Sequence, residues 1–157
     1  MEDKIKNLEE ENKRLKIEES LLRDAYFQLE KIREKLSETK SRYSLLFNVV
    51  TDIIFVKEFN GYDFLGKFLE VNLMACNRLG YTSTELLELS PSSIVVSDIK
   101  NDNDIIERIL KGEEGVMFEQ TLISKDGSKI LVETYPKLFS WQDRTDIIFV
   151  SREVNNK

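Results

Sequence analysis

The run Val71-Asn72-Leu73-Met74-Ala75-Cys76-Asn77-Arg78-Leu79-Gly80-Tyr81-Thr82-Ser83-Thr84-Glu85-Leu86 holds three helix boundary signals in close succession. Asn72 is a strong N-terminal cap, because its side-chain oxygen accepts from a free backbone N–H of the first helical turn. Gly80 tolerates the left-handed conformation that ends a helix. Together they predict a short helix from Asn72 to Leu79. Thr82 or Ser83 caps a second helix, Ser83 to Leu89, which Pro91 closes off. Upstream, Thr51 to Val56 and Lys67 to Val71 read as strands separated by a turn around Asn60-Gly61. Downstream, Asp104 and Glu107 have the spacing of a capping box and predict a helix that starts there and stops at Gly112. Val116 to Ser124 and Ser128 to Phe139 flank Lys125-Asp126-Gly127, where Asp-Gly is a hairpin signal. Thr145 to Val154 is the last strand.

Thr-Asp-Ile-Ile-Phe-Val occurs twice, at 51–56 and 145–150, with unlike flanks. This is no duplicated domain. Apolar residues on consecutive positions predict strands covered on both faces, central in a sheet. One face meets the short helices, and the other needs a cover that the N-terminal helix or a second subunit can supply.

Residues 1–42 have a different texture. They contain neither Gly nor Pro, their charges nearly cancel, and Leu8, Leu15, Leu22, Leu29 and Leu36 recur every seventh residue. On a helix that spacing forms the seam of a coiled coil. With these leucines at d, the a positions read Ile5, Asn12, Glu19, Tyr26 and Arg33. The pattern is good only at the start, so a register change falls between Leu15 and Leu22. Asn12 at an a position favours a parallel, in-register dimer at some cost in stability. A helix of this length runs about 60 Å, too long for a small domain to cover alone. A DNA-binding zipper needs a basic helix upstream of its leucines, and the residues before Leu8 carry both signs.

Composition narrows the function. The 157 residues carry 23 Lys and Arg against 29 Asp and Glu, a formal net charge of −6, with no basic excess to grip phosphates. Direct nucleic-acid binding is disfavoured. Histidine is absent, which removes His-based metal sites, general bases and catalytic triads. The one cysteine, Cys76, fits a reducing compartment and reads as a buried structural thiol. The charged start Met1-Glu2-Asp3-Lys4 is unlike a secretory signal, and no apolar run approaches the roughly 18 residues of a membrane span. These features predict a soluble cytoplasmic chain, not an enzyme and without a metal site. Asp98 to Asp104 is rich in oxygen ligands, but it lacks the Gly and Glu that a calcium loop needs at its sixth and twelfth positions. Trp141, between the last two strands, reads as part of a loop or a contact surface.

Three motifs, in order, make residues 43–154 resemble a PAS domain. Tyr43-Ser44-Leu45-Leu46-Phe47 matches the opening helix. Val71-Asn72, Ala75 and Leu79-Gly80-Tyr81, with Ser83-Thr84-Glu85-Leu86 after them, match the most recognisable stretch. Lys125-Asp126-Gly127-Ser128 with Val132-Glu133 matches the turn between the long strands. The resemblance implies an α+β fold, a five-stranded antiparallel sheet of order 2-1-5-4-3 with short helices on one face, preceded by the 1–42 coiled-coil helix. It makes the two Thr-Asp-Ile-Ile-Phe-Val strands neighbours. Pro136 departs from the pattern, and a bulge or an early strand end is expected there. Arg152-Glu153 stands where the family often has the Asp-Ile-Thr junction, leaving 155–157 as a tail toward a missing effector.

The same resemblance implies a sensory or dimerising module of a signalling protein, most often a sensor histidine kinase with its catalytic part elsewhere. Its partners are then a second copy, paired through the N-terminal helix, and an effector in cis. The space between helices and sheet, with Phe68, Met74, Phe118 and Tyr135 as candidate lining, holds a small molecule or is simply filled. The cofactor is unknown: Cys76-Asn77-Arg78 is not the flavin motif of photosensory members, and no His is present for haem. A ligand-free interaction module, for instance in a transcriptional regulator, and a small-molecule enzyme are the rival readings.

Overall fold

The computed structural model describes residues 1–96 and 99–155. It divides into two compact units, Met1–Leu46 and Phe47–Lys157. The first unit is helical from Glu2 onward. Helix α1 spans Glu2–Val49 and none of its residues is buried, so the segment from Tyr43 to Phe47 is its final part. Along it, Arg23 pairs with Glu19, Arg33 with Glu30 and Arg42 with Glu38, the three- and four-residue spacings that meet on a helix surface.

The second unit is an antiparallel sheet with short helices. Strands β1 (Ile53–Glu58) and β2 (Phe68–Val71) are followed by α2 (Leu73–Leu79), α3 (Ser83–Glu88) and a single 3₁₀ turn at Pro91–Ser93. Then come β3 (Val95–Val96), α4 (Ile99–Leu110), β4 (Phe118–Ile123), β5 (Lys129–Trp141) and β6 (Arg144–Glu153). The sheet has six strands in the order β2-β1-β6-β5-β4-β3. The expected five are all present in the expected order. The sixth, β3, is a two-residue edge pairing, Val95 with Leu122 and Val96 with Thr121, too short to leave a pattern in sequence.

The two Thr-Asp-Ile-Ile-Phe-Val segments do lie side by side. Phe55 sits opposite Phe149, with Ile54 opposite Val150 and Val56 opposite Ile148. Ile53 to Lys57 are all buried, as consecutive apolar residues on a central strand require. Alternation assigns the faces. Ile53, Phe55, Ile147, Phe149, Val132 and Leu122 join Leu79, Leu86, Ile94, Ile105 and Ile106 from the helical side in one core.

Two expectations fail. Pro136 neither bulges nor ends β5, but sits in register opposite Phe149. Strand β4 covers β5 only as far as Thr134, so Pro136 lies where one side of the strand is open and a missing donor costs no ladder bond. Helix α4 begins at Ile99, not at Asp104. Burial of Ile105 and Ile106 sets the helix by its apolar face, and Glu107 pairs forward with Lys111 at 2.6 Å instead of back to a cap.

Candidate functional site

Two places gather polar groups where packing alone would put none. The first is the junction at Asn72. Its backbone is extended and its side chain caps α2, but the amide does more than cap. Oδ1 accepts from Ala75 N and from Ile54 N, both at 3.0 Å. Nδ2 donates to Asp52 O at 3.0 Å and to Phe47 O at 3.3 Å. A fully buried amide thus makes four hydrogen bonds, the full capacity of its two donors and two acceptor sites. They join the last turn of α1, the α1–β1 turn, β1 and α2. Leu73 N adds a bond to Asn48 Oδ1 at 2.7 Å. The C-terminal end of β6 reaches the same place. Arg152 grips both carboxylate oxygens of Asp52, at 3.2 and 3.1 Å, and Glu153 pairs with Arg78 of α2.

The second place is inside the domain. Lys57, on β1, is 4% exposed. Its Nζ donates to Phe64 O at 3.3 Å and lies 5.0 Å from the centre of the Phe68 ring and 4.8 Å from that of Phe149. Burial lowers its pKa to about 8, against the opposing pull of the Asp102 carboxylate on α4. Phe64 stacks on Phe118 at 5.9 Å and meets Phe149 edge-on at 5.1 Å. The space left beside Lys57, Phe64, Asp102, Gln120 and Phe149 is a cavity of about 10 Å³, roughly one water probe. Gly66 lets the Phe64 segment pass close to β1: a Cβ there would collide with the carbonyl of Glu58. Across the core, Thr134 Oγ1 bonds Ser151 Oγ at 2.8 Å and receives Gln120 Nε2 at 2.8 Å.

The family model described as "PAS domain" matches residues 51–155. The chain belongs to the PAS-domain family. Its match to a methyl sulfide methyltransferase-associated sensor of Methanosarcina acetivorans is 23% identical over 124 residues, 79% of this chain and 12% of that protein. The chain therefore spans about an eighth of that relative's length. Among solved structures, the PAS domain of an HTR-like protein from Haloarcula marismortui superposes with a TM-score of 0.63 at 24% identity, covering 80% of this chain and 99% of the other. A PAS domain from a two-component sensor histidine kinase gives 0.57 at 21%, covering 75% and 99%. A domain of a sensory box sensor histidine kinase/response regulator from Geobacter sulfurreducens gives 0.54 at 25%, covering 74% and 96%.

Within this PAS domain the motif residues act as clamps. Gly80 is left-handed at φ 75° and its N–H bonds Cys76 O. Tyr81 packs against the core, with the Lys125 ammonium 5.6 Å from its ring centre. Lys125 N bonds Leu79 O at 2.8 Å, and its side chain pairs with Glu85, so the β4–β5 turn is fastened to α2 and α3. In that turn Gly127 takes φ 86°. Hydrogen bonds from Ser124 and Ser128 hold the Asp126 carboxyl down to about 2. Thr82 and Glu85 complete a reciprocal capping box.

Of the four expected lining residues, Phe68 and Phe118 belong to the buried core, and Met74 is partly buried against it. Tyr135 does not join them. It follows buried Thr134 on β5, so it points to the opposite face, 41% exposed, where its hydroxyl donates to Glu133. Lys57 and Asp102 were not expected there. Strand parity was the available signal, since Lys57 shares the face of Ile53 and Phe55. Cys76 is half-buried, and burial raises its thiol pKa. Trp141 ends β5, 63% exposed, beside a turn in which Gln142 has φ 54°. Ile5, Leu8, Leu15, Leu22, Leu29 and Leu36 lie on α1, each more than half exposed, and Asn12 is exposed with them. Asp98 and the end of the 155–157 tail lie outside the described residues. No group of acidic residues and cysteine suited to a metal occurs among the described residues, nor any helix long and apolar enough to cross a membrane.

Proposed function

We propose that this chain is the sensory and dimerising PAS module of a signalling protein, relaying a signal between its interior and α1. The observation that carries the reading is the junction. Asn72 binds the last turn of α1 to β1 and α2, and Arg152, at the end of the final strand, is fastened to Asp52 beside it. Chain entry and chain exit are thus held by one hydrogen-bonded unit, where a small shift of the sheet alters both. The named relatives support the reading, being a methyltransferase-associated sensor and domains of sensor histidine kinases. The parent is then a sensor kinase or similar protein, its catalysis in an effector beyond this chain, working in the cytoplasm. Two copies pair in parallel through Ile5, Leu8, Leu15, Leu22, Leu29 and Leu36, and the register change between Leu15 and Leu22 is the bistable element that carries the signal.

One observation favours a second reading, a ligand-free relay that only dimerises: the interior cavity is no more than about 10 Å³. A native mass spectrum of the purified chain, repeated after denaturation, tests both. A dimer that releases a small molecule supports the sensor. A clean dimer supports the relay, and a monomer at micromolar concentration removes both dimeric readings. Asn12→Leu raises dimer stability if Asn12 occupies an a position, and unchanged dimer affinity refutes the seam.

A further inference from the structure

We infer that the interior site at Lys57 takes a small organic anion, a carboxylate on a short apolar body, which enters by replacing Asp102 as the counter-ion of the Lys57 ammonium. The inference rests on the sensory reading and gives it a ligand class.

Three observations converge on it. A core position on a central strand holds a lysine where its neighbours Phe55 and Phe149 show that an apolar side chain fits. An ammonium in such surroundings is tolerated only with an anion and hydrogen-bond acceptors around it. Here it has one carbonyl, Phe64 O, and two ring faces. The negative charge that acts on it comes from Asp102, which lines the same cavity.

The counter-ion belongs to a different kind of element from the lysine. Lys57 is fixed in a strand paired on both sides. Asp102 stands on α4, a helix held by Ile105 and Ile106 on one face while Asn101, Asn103, Asp104 and Glu107 are exposed. The cavity of about 10 Å³ admits no organic molecule as it stands, so a ligand must displace part of the wall. The wall group that an incoming carboxylate can replace charge for charge is Asp102. Apart from Gln120, whose amide donates to Thr134, the remaining surface, Phe64, Leu65, Pro91, Val95 and Phe149, is apolar and suits a short hydrocarbon body.

The test titrates the full chain with propionate at constant ionic strength, using propionamide as the neutral isostere and following amide resonances and thermal stability. Propionate is expected to saturate, to shift resonances of β1, β6 and α4, and to bind at least about tenfold more tightly than propionamide. Asp102→Asn removes the competing carboxylate and is expected to tighten propionate binding by about tenfold or more. Lys57→Met erases the preference for acid over amide. Because Asp102 is only half-buried, Asp102→Asn carries the test even if Lys57→Met fails to fold. Equal binding of acid and amide overturns the inference while leaving an interior ligand site and the sensory reading intact. No binding of either probe to the wild type and to Asp102→Asn also overturns it. The sensory reading is then judged separately by the released mass in the native spectrum.

Discussion

Replacing Asn72 is expected to damage this domain more than its helix-capping role accounts for. Loss of a cap alone costs about 1 kcal/mol. In Asn72→Ala, Ile54 N–H also loses its acceptor inside the sheet, and a stranded buried donor costs about 1–3 kcal/mol. The carbonyls of Phe47 and Asp52 lose a donor as well, but at part-buried positions where water replaces much of it. The sum is about 2–4 kcal/mol. Asn72→Asp separates the two halves of the amide. Its Oδ1 keeps both N–H partners, while its second oxygen faces the carbonyls of Phe47 and Asp52. The two N–H donors favour the carboxylate, but burial and the facing carbonyls together favour the protonated acid more strongly, so its folded pKa rises above the unfolded value of about 3.9. A raised folded pKa gives stability that is full below the unfolded value and declines as pH rises through the folded one. Asn72→Asp therefore loses at least about 1.4 kcal/mol relative to Asn72→Ala between pH 4 and 7, one pKa unit's worth. Urea unfolding followed by near-ultraviolet circular dichroism reads both, because α1 dominates the far-ultraviolet signal. A cost below about 1 kcal/mol for Asn72→Ala, or no pH dependence for Asn72→Asp, refutes the four-bond account.

Two further perturbations follow from the interior. Lys57 has a folded pKa of about 8, depressed by burial, against about 10.4 unfolded. Between those values the unfolded state binds more protons, so this group's contribution to stability rises with pH from about 8 to about 10.4 and is flat below. Unfolding free energies of wild type minus Lys57→Met, measured across that window, isolate it from the raised Cys76 and Tyr135 pKa values, and a flat difference refutes it. Gly66→Ala puts a Cβ against the Glu58 carbonyl and is expected to cost more than about 2 kcal/mol and to disorder the Phe64 contact. A variant as stable as the wild type with unchanged Phe64 resonances contradicts that packing.

Local chemistry made much of this legible beforehand. Asn72, Gly80 and Thr82 each solve a problem within a few residues of themselves, the free backbone groups of a short helix, and the structure uses all three in those roles. Asp126-Gly127 marked its hairpin for the same reason. The repeated Thr-Asp-Ile-Ile-Phe-Val revealed its central position because burial on both faces removes alternation. What stayed hidden depends on distant partners. Nothing near Asp104 shows that α4 starts earlier, since the apolar face that decides it is completed by the core. Tyr135 faces outward because strand parity, not aromatic character, decides which face of β5 a residue meets. Lys57 reads in sequence as the polar end of a strand, and becomes an interior charge only once the Phe64 segment and Phe149 close over it.

These two polar places are not independent, because β1 carries both. Ile54 N–H binds Asn72 and Lys57 lies three residues further along, about 10 Å at the rise of a strand. Strand β1 pairs with β2 on one side and with β6 along its whole length on the other, so it moves with the sheet rather than bending alone. Its register with β2 shifts between Val56 and Lys57, placing the irregularity directly beside the buried ammonium. A change in the partner of Lys57 therefore acts where the β1–β2 ladder is already interrupted, while the β1–β6 ladder stays continuous. The continuous ladder leads through β6 to Arg152 and through Ile54 to Asn72, the two residues that fasten the ends of the domain. On the sensory reading proposed above, an interior charge at the end of β1 away from Asn72 acts on a sheet whose continuous β1–β6 ladder reaches both ends of the domain.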